Sequence, residues 1–361
     1  VFRLKIYYGI KPLVPVSIRL EIRRWFALRK RHRVRDEWPV LPGSERPPEG
    51  WRGWPGGKRF ALVLTHDVEG QAGLDKCRRL MNLERQLGFR SCFNFVPEGS
   101  YSVPRQLRQE LAAHGFEVGV HDLYHNGKLF LREKEFRRNA LKINQYLKDW
   151  GAVGFRSAFM LHNLRWIHEL DLQYDTSTFD TDPFEPQPHG QKTIFPFWVA
   201  RDARRHAGKA PSPVLRSRLA SLVSQEPRAS SGFSLPGYVE LPYTLPQDST
   251  LFLILGERSP DIWFRKLDWV ARHGGMALVN VHPDYIQFEG HPNPGAGYPA
   301  ALYKQFLTRT RHLYGDSFWH VNPAQLARWY RGTASFQRQR AGASAPNRMV
   351  EVMNYGIDIS A

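Results

Sequence analysis

The sequence predicts an α/β protein whose parallel sheet closes into a barrel, and three observations predict it. From residue 58 onward, short apolar runs alternate with amphipathic stretches of helical period, the order that βαβ units require. The units repeat without a change of pattern, which favours a barrel over an open sheet. Acidic, imidazole and guanidinium side chains stand just after several of the apolar runs, and strand C-terminal ends are where such proteins keep their chemistry.

The first 57 residues are set apart by composition. Residues 1–35 hold eleven Lys/Arg against one acid, Glu21. From Val16 to Arg35, Ile18, Ile22, Trp25 and Phe26 recur at helical spacing among arginines, which makes a basic amphipathic helix. Such a helix either docks by its apolar stripe on the main domain or lies on an anionic membrane surface. Residues 38–58, rich in Pro and Gly, read as a linker. The main domain expected over 58–332 opens with strand 59–64. Helix 73–87, strand 92–96, helix 104–114, strand 117–120, helix 133–149 and strand 154–156 follow. Helix 163–170 leads to an extended 174–177. After an irregular basic stretch (about 200–235) come strands near 238–242 and 251–254, helix 260–273 and strand 276–281. The tail, 333–361, reads as loosely held.

Composition narrows the function. With 22 Phe, 14 Tyr and 11 Trp in 361 residues, the chain is no disordered protein. It holds no apolar run of about 18 residues, the length of a membrane-spanning helix. Cys77 and Cys92 are too few for a disulfide scaffold or a four-thiolate zinc site and read as buried thiols. The net charge of +17 sits mainly in 1–35, 201–228 and 331–348. The barrel region is close to neutral and carries no nucleic-acid signature, so no specific nucleic-acid partner is expected. The N-terminus lacks the apolar region and cleavage site of a signal peptide, so the expected location is the cytoplasm, either free in it or peripheral to the membrane through residues 16–35.

The polar residues that end the strands suggest a reaction. His121 and His125 with Glu69, or with Asp67 in its place, would form the two-imidazole, one-carboxylate set that suits a catalytic zinc. A divalent ion there acidifies water and polarises a carbonyl. Asp67 and Glu69 are two apart, so on an extended segment both point into one site. The second carboxylate could take a proton, His282 could protonate a leaving amine, and Arg156 could keep the base ionised. These parts suit metal-assisted hydrolysis of an amide or ester.

In this order the residues resemble the NodB-homology polysaccharide deacetylases, carbohydrate esterase family 4. The family's first motif, T-F-D-D or a variant with an F-D-V-D core, resembles Thr65-His66-Asp67-Val68-Glu69. The second, H-[ST]-x-x-H, matches His121-Asp122-Leu123-Tyr124-His125. The third, R-x-P-Y, is recognisable in Arg156-Ser157-Ala158-Phe159, and the strand ending in His matches Leu278-Val279-Asn280-Val281-His282. The resemblance spans about residues 58–330 and implies a deformed (β/α) barrel of about seven parallel strands, here with an N-terminal basic helical extension. It implies Asp67 as catalytic base, Glu69, His121 and His125 as ligands of zinc or another divalent transition metal, Arg156 as orienter of the base and His282 as general acid. Glu240-Leu241-Pro242-Tyr243-Thr244-Leu245-Pro246-Gln247-Asp248 resembles the fourth motif and makes Asp248 the partner of His282, with Asp284 as the alternative. Glu69 stands where the family has Asp, Asp122 where it has Ser or Thr, and Ala158-Phe159 where it has Pro-Tyr.

The expected enzyme is a metal-dependent deacetylase removing N-acetyl or O-acetyl groups from an amino sugar in a bacterial glycan or a lipid-linked precursor. Phe159, Trp198 and Tyr243 are the candidate substrate contacts. Asp175, Asp180, Asp182 and Glu185 either meet substrate hydroxyls or amines or satisfy backbone groups in a long turn. Two other functions stand beside it: hydrolysis of a small non-sugar amide, and a non-catalytic glycan-binding member of the fold.

Overall fold

The computed structural model describes residues 16–201, 237–289, 297–333 and 336–337. Strand β1 (Phe60–Val68) is its hub, with all nine residues buried. Along one edge β1 pairs in parallel with β8 (Met276–Val281). Along the other it pairs with β2 (Cys92–Phe95) at its C-terminal half and β11 (Phe318–His320) at its N-terminal half. From β2 the sheet continues in parallel through β3 (Glu117–His121), β4 (Gly154–Arg156), β5 (Tyr174–Asp175) and β7 (Gly237–Glu240). It ends on β6 (Phe197–Ala200), which runs antiparallel to β7. Apart from it, β9 (Ile286–Gln287) and β10 (Tyr298–Pro299) form a short parallel pair.

The ring is closed by the chain just after β7. Thr244 N donates to Leu278 O at 3.2 Å, and Leu278 N donates to Thr244 Oγ1 at 3.0 Å. Seven parallel strands thus line the barrel, with β6 and β11 as additions. This is the deformed (β/α) barrel that the sequence predicts.

Alternation along the strands separates two cores. Phe60, Leu62, Leu64 and Val68 of β1, with Ala277, Val279 and Val281 of β8, face outward under α2 (Cys77–Gln86), α5 (Asp261–His273) and α6 (Ala300–Tyr314). Ala61 and Val63, with Met276 and Leu278, face inward and meet Leu326 and Tyr330 of α7 (Pro323–Arg331), which plugs the N-terminal end of the barrel together with Trp54. Helices α3 (Arg105–Ala113) and α4 (Glu133–Trp150) cover the other flank. Gly151 and Gly274 end α4 and α5 in the left-handed conformation (φ 65 and 70), which glycine adopts without a Cβ clash.

The structure departs from the sequence reading in five places. Strand β1 runs on to Val68, so Asp67 lies within the strand and not after it. The expected strand 251–254 is a wide helical turn, Ser249–Ile254, with Leu255 N bonded to Thr250 O at 2.9 Å; an apolar run buried all round has no period to distinguish the two. Helix 163–170 shrinks to the single turn Trp166–Glu169. The supposed linker is a packed strap: Trp38 and Trp54 are buried, and Trp51 meets Trp54, Phe195 and Trp329 edge-on. Phe336, assigned to the loose tail, is buried against Trp198. From Asp202 the irregular basic stretch lies outside the described residues, as does the tail from 338. Among the described residues, no helix is long and apolar enough to cross a membrane.

His320 fastens β11 to the hub. Its Nδ1 lies 3.2 Å from Leu62 O and its Nε2 accepts Arg90 N–H at 2.8 Å, which together require the neutral ring. Burial lowers its pKa to about 4, against about 6.5 in an unfolded chain. Between those values the unfolded chain holds the extra proton, so stability falls as pH drops through that window. Urea unfolding at pH 7 and pH 4.5 should show wild type losing about 1–2 kcal/mol more than His320→Phe across the window; equal losses would assign the acid sensitivity elsewhere.

Candidate metal centre and active site

The inward faces that are apolar at the bottom of the barrel turn polar at the top. On β1 the series Ala61, Val63 continues as Thr65 and Asp67, and then Glu69. On β8 Met276 and Leu278 are followed by Asn280 and then His282. Asn94 of β2, His121 of β3 and Arg156 of β4 complete the ring. All except Glu69 are buried.

Glu69, His121 and His125 each offer one ligand atom, all within 4.8 Å of one another. His121 Nδ1 lies 3.1 Å from Arg156 O, so that nitrogen carries the proton and Nε2 is left as an acceptor. His121 Nε2 is buried with no hydrogen-bond partner. Tyr285 donates its hydroxyl to Glu69 Oε2 at 2.7 Å, leaving Oε1 3.1 Å from His125 Nε2. Burial would raise the Glu69 carboxyl, but His125, His282 and Tyr285 outweigh it and hold it below the usual range. An orphaned buried imidazole nitrogen facing an ionised carboxylate and a second imidazole is a set that a divalent cation completes. The residues present therefore fit a metal.

The loops that deliver these groups are bent sharply. Asp122, His125, Phe159 and Met160 all have φ between 52 and 56, a region costly for residues with a Cβ. Asp122, where the resembled motif has Ser or Thr, accepts Leu123 N at 2.5 Å and Ala158 N at 3.4 Å. It thereby ties the histidine loop to the Arg156 loop.

Asp67 sits beside this trio. Its Oδ1 accepts Asn94 Nδ2 at 2.9 Å, its Oδ2 accepts Asn280 Nδ2 at 2.8 Å, and Arg156 Nε is 3.3 Å away. Burial would raise the carboxyl; Arg156, His121, His282 and the Asn94 amide outweigh it and hold it at about 2. Across the site, His282 Nδ1 lies 2.6 Å from Asp248 Oδ1, while Asp248 Oδ2 accepts His282 N and the Tyr298 hydroxyl. Burial would lower the imidazole, but Asp248, Glu69 and Asp67 push it up to about 10. Of the two candidate partners of His282, Asp248 is therefore the one in contact. Asp284 accepts Glu69 N at 2.9 Å and Gly73 N at 3.2 Å, and so holds the backbone of the ligand carboxylate.

The candidate substrate contacts divide. Phe159 stands at the site, its ring 4.8 Å from that of His125. Trp198 does not: it sits on β6 over Gly237, at the N-terminal end of β7, and packs on Phe336. Tyr243 is wholly buried, with its hydroxyl 2.9 Å from both Asp182 and Glu185. Both aromatics serve the core, the commoner fate of such clusters. Asp180 pairs with the buried Lys266, and Asp182 accepts Phe184 N, so these acids satisfy internal donors. The sequence reading missed Asn94, Asn280, Tyr285 and Tyr298. Asn280 and Tyr285 flank the histidine strand end, and the inward series 276, 278, 280 pointed to the first of them.

No family model matches the chain, and no curated protein matches it. Solved structures do. A protein of Mycobacterium smegmatis described as a polysaccharide deacetylase is 17% identical, with a TM-score of 0.52, covering 84% of this chain and 98% of its own. The catalytic domain of a peptidoglycan N-acetylglucosamine deacetylase of Eubacterium rectale is 11% identical, with a TM-score of 0.39, covering 76% and 94%. A peptidoglycan deacetylase of Bacillus subtilis is 12% identical, with a TM-score of 0.38, covering 79% and 98%. The first of these sets the class: the chain has the fold of the polysaccharide deacetylases.

The Tyr285 hydroxyl bond to Glu69 yields a direct expectation. Tyr285→Phe should weaken divalent-metal binding by about 10-fold or more, read by competition with a chromogenic chelator. Unchanged affinity would mean that Glu69 is positioned without it.

Proposed function

We propose that the chain is a divergent NodB-homology deacetylase, a metal-dependent hydrolase that removes an acetyl group from an amino sugar of a bacterial glycan or its precursor. One observation carries the reading: the unpartnered His121 Nε2 converges with His125 and Glu69 at the catalytic end of the barrel, with Asp67 and His282 beside them. A deacetylase fold with those five groups in one place supports hydrolysis over binding alone.

A divalent cation, zinc or a similar transition metal, held by Glu69, His121 and His125 would polarise the acyl carbonyl and acidify water. Asp67 is the base. Two amide donors and Arg156 fix its direction and keep it ionised, so it accepts the proton of the attacking water and passes it on. His282, protonated and steered by Asp248, gives its Nε2 proton to the departing nitrogen. Water adds to the acyl carbon, the C–N bond breaks, and acetate and a free amine leave. Arg156 is buried and its guanidinium faces Asp67, with Nε 3.3 Å from Oδ1. The Phe159 ring beside His125 offers an apolar wall for the acetyl methyl.

The test is metal content together with acetate release from acetylated amino-sugar oligomers. Wild type should carry stoichiometric divalent metal, and the His121→Ala/His125→Ala variant none. Asp67→Asn should keep the metal and lose roughly 10²–10⁴ in kcat. Metal-free wild type after supplementation, or full turnover in Asp67→Asn, would overturn the reading.

A further inference from the structure

The N-terminal helix α1 (Val16–Arg33) has two faces, and the barrel uses one. Ala27 is buried, Arg31 pairs with Glu257 at 2.5 Å, and the helix packs on the turn Ser249–Ile254. Val34 and Trp38, just past its end, join the outer core. On the other side Ile22, Trp25 and Phe26, at i, i+3 and i+4, share one face and are 50%, 49% and 61% exposed. With Leu28 they make four of the seven large apolar side chains exposed among the described residues. The Arg29 guanidinium lies 3.8 Å over the Trp25 ring, and the exposed Arg33 is one turn further along that face. Trp, Phe and Ile threaded by arginines match the water–lipid boundary, where rings enter the acyl edge and guanidiniums meet phosphates.

Charge selects the occupant. Helix α1 holds seven Lys/Arg and one Glu. Residues 202–236 hold six Lys/Arg against two acids, and residues 1–15 hold three with none. These segments would be repelled from its outward face, and so would a second copy of the helix. An anionic bilayer has the opposite charge.

Helix α1 also lies at the catalytic end. The turn it packs on is capped by Asp248, which holds His282. Just past its C-terminal end, Trp38 meets Phe184 edge-on at 5.1 Å, and Thr181 Oγ1 donates to Glu37 O, both in the loop after β5. We propose that α1 seats the catalytic face beside an anionic lipid surface, so that the acetylated sugar reaches the site while carried on a lipid. The second half rests on the deacetylase reading; the first does not.

The test is flotation of the full chain with phosphatidylcholine vesicles, with and without one-third phosphatidylglycerol. Wild type should float only with the anionic vesicles, and added NaCl should release it. Trp25→Ser/Phe26→Ser should bind about tenfold or more weakly with an unchanged melting temperature. Its acetate release should be unchanged on a soluble acetylated oligosaccharide and reduced on a vesicle-tethered one. No flotation of wild type at low salt, equal binding by the variant, or a dimer that the variant dissolves would each overturn the anchor. Flotation without acetate release from either substrate would instead overturn the deacetylase reading and leave the anchor standing. Equal turnover of the tethered substrate by both proteins would overturn the lipid-carried substrate.

Discussion

The polar end of the barrel depends on the register of β1. A slip of one residue would turn His66 and Val68 inward and send Asp67 and Glu69 into the helical layer. Three parallel partners pin that register, and a polar lock reinforces it. His66 faces outward into an apolar layer, where its Nε2 lies 2.8 Å from the buried Glu84, itself bonded to Ser91 and Tyr303. That carboxylate satisfies the buried imidazole and so keys α2 and α6 to the strand. The same alternation on β8 aims Asn280 and His282 at the site.

With the register set, the site is a problem of burying negative charge. Asp67, Glu69 and Asp248 lie within one small region. Each is held by its own set of groups: the Asn94 and Asn280 side-chain amides and Arg156 for the first, the Tyr285 hydroxyl for the second, and the His282 backbone and imidazole with Tyr298 for the third. Asp67 and Glu69, so held, stay ionised despite desolvation. Their fixed directions are the preorganisation that the proposed hydrolysis needs. The left-handed backbone at Asp122, His125, Phe159 and Met160 is the accompanying strain, and the Asp122 carboxylate bonds help to hold it.

The residues with distinctive chemistry were legible from their positions at or near strand ends: Asp67, Glu69, His121, His125, Arg156 and His282. Those that act through a partner were not. Asn94 and Asn280 look like ordinary polar residues until β2 and β8 flank β1. Trp198 and Tyr243 misled because an aromatic side chain reads alike in a core and in a cleft. The strap at 38–57 misled because Pro and Gly mark irregular backbone, not exposure; its tryptophans decide that it packs.

By itself the sequence determined the alternation of strands and helices, the parallel barrel, and the acid–imidazole set at one end, because period and residue chemistry are local properties. Tertiary structure alone decided that the barrel closes through Thr244, that Asp248 and not Asp284 meets His282, and that Tyr285 takes one oxygen of Glu69. It also decided that α1 both docks and leaves an apolar face outward. Each of these depends on which distant segments lie within hydrogen-bonding reach, and that distance is set by the whole sheet.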